Sequence, residues 1–536
     1  MKKIFAILSV IAALTLTGCA KDFLNTDPTT SVSGTLIFDT ADKAQAAVDG
    51  LYRQFYTGGW GSSWNDENGG IPAFILTMDL KGEDHAMDGE GSGWFYYDYA
   101  YNTFGDWTGT RGHQYQMWNF FYTVISGTNY VIDKKDEMEG TADQINYVVG
   151  QAYAIRSFCY MWLVQTYQQN GGAAGTATRD LPGVPLYTEP TVPGAVGKGR
   201  GTVQEVYTQC NADIDSAIAR LGATAIKQKH PSHIDLAVAQ GLKARHALVQ
   251  QDFPTALAAA EAAIATATAN GKKLGAWADV KAVNDVSKDN VLWGLAIQTD
   301  QALGNWDIYS HMDADSNAKY SEARHLISEW LYNQIPATDS RKGWWTPSIP
   351  KASWATAGKA GGSGRSFCQK KLVFTNASSS LGDHVLLRTE ELYLIAAEAA
   401  CKTADYTKAR GYIKDLGDKR DTDYATRLAA FTDSDVLNDD TNGALTTLMD
   451  EIIFQRRVEL WSENPRIFDI QRLGLKFDRA NANTSGDADN NPELCSDYTD
   501  KVASANFILL IPKTEFDGNE NMSLGTDQNP GQGKHK

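Results

Sequence analysis

Aromatic side chains are concentrated in two stretches of this 536-residue chain. Residues 94–122 hold 13 of them, and the first eight stand among Gly, Asp, Asn and Ser. Core positions of helices and strands recur with a period of 3.6 or 2 residues, and these eight follow neither period. The spacing therefore predicts aromatic loops. The second stretch contains Trp306, Tyr309, Trp344, Trp345 and Trp354.

An aromatic ring in a polar loop can stack on the apolar C–H face of a sugar, while neighbouring polar side chains bind the sugar hydroxyls. Asp98 and Asp106 accompany the first stretch, and Asn305 and Asp307 accompany the second. The alternative is that the rings anchor the loops to the body, because each large ring buries about 150–250 Å². We predict that at least one or two of the rings bind ligand. The candidate ligand-binding residues are Trp94, Tyr96, Asn102, Trp107, Trp306, Tyr309 and Trp345.

Three carboxylates beside the first stretch, Glu83, Asp84 and Glu90, raise the question of catalysis. Glycoside hydrolysis requires only two carboxylates that the fold brings together, so a glycoside hydrolase or lyase is the alternative function. The chain carries no nucleophile-elbow, zinc-protease or phosphate-loop motif and no paired C-x-x-C. Acidic residues in polar loops are usually solvated or bind ligand hydroxyls, so we predict a binding protein without catalytic residues.

The charge of the chain restricts the classes of ligand. The 65 Asp and Glu residues outnumber the 49 Lys and Arg residues, which gives a formal net charge of −16 at pH 7. Nucleic acids are held mainly through Lys and Arg contacts to phosphate, and an acidic protein is not attracted to an anionic membrane surface. We therefore predict no nucleic-acid partner, whereas a neutral sugar is compatible with the charge.

The sequence also predicts no cofactor. The acidic run 487–491 begins like a calcium-binding loop, but Pro492 stands where the turn requires glycine and Tyr498 where a bidentate Glu is required. The nine His residues show no metal-ligand spacing. The presence of a structural calcium is left open at this point.

Residues 1–18 have the organisation of a lipoprotein signal peptide. Two lysines precede an apolar run, 4–16, that is shorter than the roughly 20 residues a membrane-spanning helix needs. The run ends in L-T-G-C, which resembles a bacterial lipobox in which cleavage leaves Cys19 as a lipid-carrying N-terminus. Acyl chains stabilise membrane attachment by about 0.8 kcal/mol per buried CH₂. We predict an anchored protein whose remaining residues, 19–536, form a single domain.

Amphipathic helices must position the aromatic loops. Apolar residues at helical spacing predict helices over 41–55, 115–132 and 149–167. Thr202 followed three residues later by Glu205 predicts a capping box at the start of another helix. Most of the periodic signal along the chain is helical, and this indicates a mostly α fold.

Two segments resemble tetratricopeptide-like helical hairpins, in which small residues let paired helices pack closely. The equivalent residues Ala256 and Ala409 lie 153 positions apart, so the hairpins are not tandem repeats. Short strands are predicted near 290–296 and 371–374. We predict tetratricopeptide-like helical hairpins that form one body, with long loop-rich insertions and a few short strands. The hairpin residues are Ala244, Ala247, Ala256 and Ala260, then Ala397, Ala400, Ala409 and Ile413; the insertions are about 57–112, 170–200, 285–385 and 475–530.

Several motifs occur together and in a fixed order along the chain. Residues 22–28 read D-F-L-N-T-D-P, residues 118–129 match W-x-x-x-Y-x-x-I-x-x-x-N, and residues 388–394 read R-T-E-E-L-Y-L. Residues 456–466 are similar to R-R-x-E-L-x-x-E-G-x-R, although N-P replaces the usual G-H. Taken together, the motifs resemble the SusD/RagB family of starch-utilisation-type, nutrient-binding lipoproteins of the Bacteroidetes outer membrane.

The resemblance implies a tetratricopeptide-like body with a loop-rich face that binds glycan. It also implies a lipoprotein exposed on the cell surface, which docks as a lid on a SusC-like TonB-dependent transporter barrel and delivers nutrient to it. The family's ligand aromatics lie in regions that correspond here to 94–107 and 306–309, and its charged motifs are expected to brace helices. Some relatives bind peptides, and a third hypothesis is a structural lid whose aromatics bury against the barrel.

Overall fold

A computed structural model gives the architecture of the chain. Cys19, Glu90, Asn102 and the acidic run 487–491, on which predictions were made, lie outside the residues that the structure describes. The described residues are 38–61, 66–87, 94–101, 106–168, 179–192, 194–313, 324–348, 366–438, 444–479, 499–500 and 505–530.

Most of the regular structure is helical, as the sequence predicts. The helices are α1 (Ala41–Gln54), α2 (Ile71–Asp79), α3 (Tyr96–Tyr99), α4 (His113–Asp133), α5 (Ala142–Tyr167), α6 (Val203–Gly222), α7 (Leu236–Val249), α8 (Phe253–Ala269), α9 (Trp277–Val280), α10 (Tyr309–Met312), α11 (Glu329–Gln334), α12 (Thr389–Lys402), α13 (Tyr406–Gly417), α14 (Tyr424–Leu428), α15 (Leu448–Glu459), α16 (Arg466–Leu473), α17 (Lys513–Gly518) and α18 (Leu524–Asp527). The predicted helices over 41–55, 115–132 and 149–167 are confirmed as α1, α4 and α5. The capping box of Thr202 and Glu205 opens α6.

The two predicted hairpins are confirmed, and they pack against each other. Asp252 caps α8 by accepting a hydrogen bond from the Thr255 amide. Asp405 caps α13 in the same way by accepting one from the Lys408 amide. Alanines of α7 and α8 share one buried cluster with the inner face of α12. Hairpins that are distant in sequence thus become neighbours in one helical body.

Short antiparallel strands pair two by two around this body. The strand predicted near 290–296 is confirmed as β4, but the one predicted over 371–374 is wrong. Side chains rather than a neighbouring strand bind that backbone: the Phe374 amide donates to Asp313, and the Leu372 amide donates to Gln369. The pairs are β1 (His85–Met87) with β5 (His325–Ile327), β2 (Pro182–Pro185) with β3 (Arg200–Thr202), β4 (Val291–Leu295) with β6 (His384–Arg388), and β7 (Phe477–Asp478) with β8 (Thr499–Asp500).

The charged motifs form ion pairs inside the body. Arg388, at the end of β6, lies 3.0 Å from Glu459 and 2.6 Å from Glu463. Arg456 of α15 pairs with Asp469 of α16 at 2.7 Å. Except for the half-buried Glu463, all these residues are buried. The expectation that these motifs brace helices is therefore confirmed.

Four cysteines lie in the core, and the described helices fall short of the requirements for crossing a membrane. Cys159, Cys210, Cys368 and Cys401 are buried and fill core positions. Among the helices of the described residues, none combines the length and the apolar character that crossing a bilayer requires.

Candidate functional site

The first aromatic loop, residues 94–101 and here called the Trp94 loop, contains the one-turn helix α3. Tyr97 has 46% of its surface exposed and Trp94 is half-buried, whereas Tyr96 is only 6% exposed. Consecutive residues of a helix point about 100° apart, so one turn that buries Tyr96 presents Tyr97 to solvent. The structure therefore places the accessible ring at Tyr97 and corrects the prediction for Tyr96.

The second aromatic loop, residues 303–312, is here called the Trp306 loop. It begins with a tight turn, Gly304–Trp306, whose first residue has a φ of +63°, a conformation that glycine adopts at little cost. Trp306 is 46% exposed, and the neighbouring Asn305 is exposed as well. Asp307 is buried, so Asn305 is the polar side chain that accompanies the accessible ring.

Three other rings of the second stretch, Tyr309, Trp344 and Trp345, lie in the core. Tyr309 is 1% exposed, because its hydroxyl donates to the Asp383 carbonyl at 2.6 Å and its ring stacks on His384. Trp345 is 2% exposed and packs edge to face against Trp344. The structure corrects the predicted ligand-binding role of Tyr309 and Trp345: these rings anchor the insertion, which is the alternative considered from the sequence.

One turn, residues 66–70 and here called the connecting turn, joins the two aromatic loops. Oε1 of Glu67 accepts a 2.5 Å hydrogen bond from the Phe95 amide of the Trp94 loop. Oδ1 of Asp66 lies 3.5 Å from Nε2 of His311 in the Trp306 loop. The rings of Phe95 and His311 also pack edge to face, with 5.3 Å between their centroids. The fold thus brings both predicted aromatic regions to one place.

A buried ionic group lies beneath the Trp94 loop. Nδ1 of His113, the first residue of α4, is 2.7 Å from Oδ2 of Asp98, and its Nε2 is 3.1 Å from the Glu67 carbonyl oxygen. Burial opposes the charged form of His113, but the carboxylates of Asp98 and Glu67 outweigh it and raise the pKa of His113 to about 9. At neutral pH both ring nitrogens therefore carry protons, and an ion pair holds the Trp94 loop against α4.

Trp107 lies on the chain between the Trp94 loop and α4. It belongs to a short turn, Asp106–Thr108, and its ring is half-buried. Asp106 and Arg111 beside it are exposed. A ligand can therefore reach this ring together with charged groups that bind hydroxyls.

Two of the three carboxylates considered for catalysis, Glu83 and Asp84, form ion pairs in the core. Oε1 of Glu83 accepts a 3.0 Å hydrogen bond from Arg466, and Asp84 accepts one of 3.0 Å from Nε of Arg457. Both carboxylates are buried. Glycosidases require two carboxyl groups that flank the scissile bond, whereas Glu83 and Asp84 are buried and paired with arginines.

Metal ligands and a cleft in the helical body are the features of the described residues that bear on other kinds of site. In the portion of the chain that the structure describes, no group of three or more His, Cys, Asp or Glu side chains is arranged to hold a metal ion. A narrow cleft lies between α2, α5 and α16, where Phe158, Trp162 and Pro465 line it together with paired charges such as Arg456 and Asp469. This cleft belongs to the braced body.

Sequence reasoning missed the residues that join the loops. Asp66 and Glu67 stand before a Gly-Gly pair, and His113 stands two residues before the predicted helix. His311 stands two residues after Tyr309, outside any motif. Acidic residues beside glycines indicate a turn, but the partners of these side chains come from other parts of the chain and have no local signal.

Two family models match the chain. One, described as "Starch-binding associating with outer membrane", matches residues 76–242, and the other, described as "SusD family", matches residues 305–531. SusD-like protein P2 of Formosa agariphila is 23% identical over 576 residues, which cover 99% of this chain and 100% of that protein.

Solved structures share the fold. A SusD-like carbohydrate binding protein from Bacteroides vulgatus has a TM-score of 0.71 at 21% identity, over 90% of this chain and 98% of that one. Surface glycan-binding protein A from Bacteroides thetaiotaomicron, in complex with laminarihexaose, has a TM-score of 0.63 at 16% identity, over 91% and 99% of the two chains. The order of the motifs, the helical hairpins and both family models agree, and the chain belongs to the SusD/RagB family.

Proposed function

We propose that this protein binds a neutral oligosaccharide or polysaccharide without cleaving it. The observation that carries the proposal is the joining of the Trp94 loop and the Trp306 loop by the connecting turn. This arrangement places accessible rings on neighbouring loops, beside exposed polar side chains such as Asn305. Rings of this kind present an apolar face to a sugar. The proposed binding residues are Trp94, Tyr97, Trp107 and Trp306.

Charge and fold relatives support a glycan as the ligand. The net charge of −16 disfavours polyanions and leaves neutral sugars as suitable ligands. Proteins of the same fold include a SusD-like carbohydrate binding protein and a surface glycan-binding protein in complex with laminarihexaose. The buried ion pairs of Glu83 and Asp84 support binding without hydrolysis.

We expect the purified protein to bind at least one member of a panel of neutral oligosaccharides in isothermal titration calorimetry, with laminarihexaose and maltohexaose among them. We expect no binding of heparin, a polyanion, because the protein is acidic. Incubation with the bound sugar should produce no new reducing ends. Binding of peptides in place of sugars would favour the peptide-binding alternative, and reducing ends that depend on Glu83 would establish a hydrolase.

We propose further that Cys19 carries the lipid that anchors the protein to the outer membrane. The anchored protein then passes glycan to a SusC-like TonB-dependent transporter. The lipobox ending at Cys19 and the family model described as associating with the outer membrane support this location. A two- or three-chain anchor holds a protein to the membrane firmly.

We expect the wild-type protein in its native host to incorporate labelled palmitate and to co-purify with a transporter barrel from the outer-membrane fraction. The Cys19→Ala variant should lose the label and leave that fraction, because no other residue supplies the acyl site. The purified Cys19→Ala body should bind the same glycan as wild type. Label retained by Cys19→Ala would contradict the anchor.

A further inference from the structure

We propose that Glu67 is a positioning residue, which sets the position of the Trp94 loop relative to the Trp306 loop. The consequence for binding, namely that both loops contact one ligand together, rests on the proposed glycan-binding function. The positioning itself is a property of the fold and can be tested without a ligand.

Glu67 holds the Trp94 loop through its side chain and its backbone. Its side chain accepts a 2.5 Å hydrogen bond from the Phe95 amide, and its carbonyl oxygen lies 3.1 Å from Nε2 of His113. Phe95 has a φ of +60°, which is uncommon for a bulky residue and persists where the surroundings hold it. Glu67 therefore binds the loop at a residue whose backbone conformation needs support from its surroundings.

The connecting turn also contacts the Trp306 loop. Asp66, adjacent to Glu67, places Oδ1 3.5 Å from Nε2 of His311. A Cβ atom added at Gly69 would lie 3.3 Å from the carbonyl oxygen of Trp306. The connecting turn therefore packs closely against the backbone of Trp306, the residue that carries the exposed ring. The same few residues thus contact both loops.

The connecting turn has little freedom to move, because it is attached to the end of α1. The amide of Ile71, directly after the turn, donates to the Phe55 carbonyl at 2.7 Å. Gly70 has a φ of +74°, and a Cβ atom there would lie 2.2 Å from the same carbonyl oxygen. A turn fixed to the end of α1 transmits a displacement of one loop to the other, because Phe95 and His311 also touch.

The proposal is tested by hydrogen exchange of the full chain, followed by mass spectrometry. We expect Glu67→Ala to speed exchange of the Phe95 amide at least about tenfold, because the amide loses its acceptor. Exchange should also rise across 304–312, because the connecting turn contacts both loops. Glu67→Gln, which keeps an acceptor oxygen, should remain within about twofold of wild type in both segments.

The matched control is Glu205→Ala, which removes a comparable 2.7 Å bond between a glutamate and the Thr202 amide. Its effect should stay at the start of α6. If Glu67→Ala fails to fold, Glu67→Asp withdraws the acceptor by one methylene and gives the same readout. Faster exchange confined to 94–101, or no change in either segment, would overturn the positioning role. Absence of glycan binding by wild type would instead refute the proposed function and leave the exchange result to decide this inference.

Discussion

Replacement of Glu459 by alanine is expected to reduce the free energy of unfolding by about 3–5 kcal/mol, the typical cost of breaking a buried ion pair by removing one partner. Glu459 is completely buried, and its two oxygens lie 3.0 Å from nitrogens of Arg341, Arg388 and Arg420. Burial opposes its ionised form, but the three arginines outweigh burial and hold the pKa of Glu459 well below its usual range. Alanine would leave three guanidinium groups without this shared partner.

Urea unfolding followed by circular dichroism measures this loss. The matched control is Glu137→Ala, because Glu137 forms an exposed ion pair with Lys134 at 2.8 Å. Exposed pairs contribute about 0–1 kcal/mol, so the control should unfold close to wild type. A loss below about 1 kcal/mol for Glu459→Ala would contradict the view that this motif braces the fold.

Replacement of Trp306 by alanine is expected to weaken glycan binding by about 1–3 kcal/mol, by analogy with the stacking of bases on aromatic side chains. This corresponds to roughly a 5- to 150-fold loss of affinity. Trp306 is suited to this test because 46% of its surface is exposed and it does not belong to the buried core. Calorimetric titration measures the change, and an unaltered unfolding curve shows that the fold is intact.

Leu524→Ala is the matched control for this variant. Leu524 is a large apolar residue with an exposed fraction similar to that of Trp306, but it lies in α18 near the C-terminal end. Its replacement should leave the affinity for glycan unchanged. An equal loss of affinity in both variants would mean that general surface hydrophobicity, and not a placed ring, binds the ligand.

The helical body was predictable because its signals are local. Helical spacing of apolar residues and the caps of Thr202, Asp252 and Asp405 lie within a few residues of the helices they begin. The packing of α8 on α12 was not predictable, because Ala256 and the face of α12 are separated by more than a hundred residues of other elements. The periodicity of apolar residues predicts which face of a helix is buried, but it does not predict which other helix packs on that face.

The aromatic loops were predictable as regions but not ring by ring. Tyr309 is buried because Asp383 and His384 reach it from a distant strand, and no local pattern reports such a partner. Tyr96 and Tyr97 share a helix of one turn, which is too short for its sequence to show which side chain is buried.

The strand predicted near 371–374 has a different cause. Lys371 resembles the start of a strand in sequence, yet its ammonium group binds the Glu459 and Trp461 carbonyls inside the body.

The central claim is that placed rings on two joined loops bind a neutral glycan. Calorimetric titration of wild type and Trp306→Ala with the same oligosaccharide, the one that binds wild type most tightly, tests it most directly. The account predicts measurable binding by wild type and a loss of about 1–3 kcal/mol in the variant. Equal affinities of the two proteins for that oligosaccharide would contradict the account.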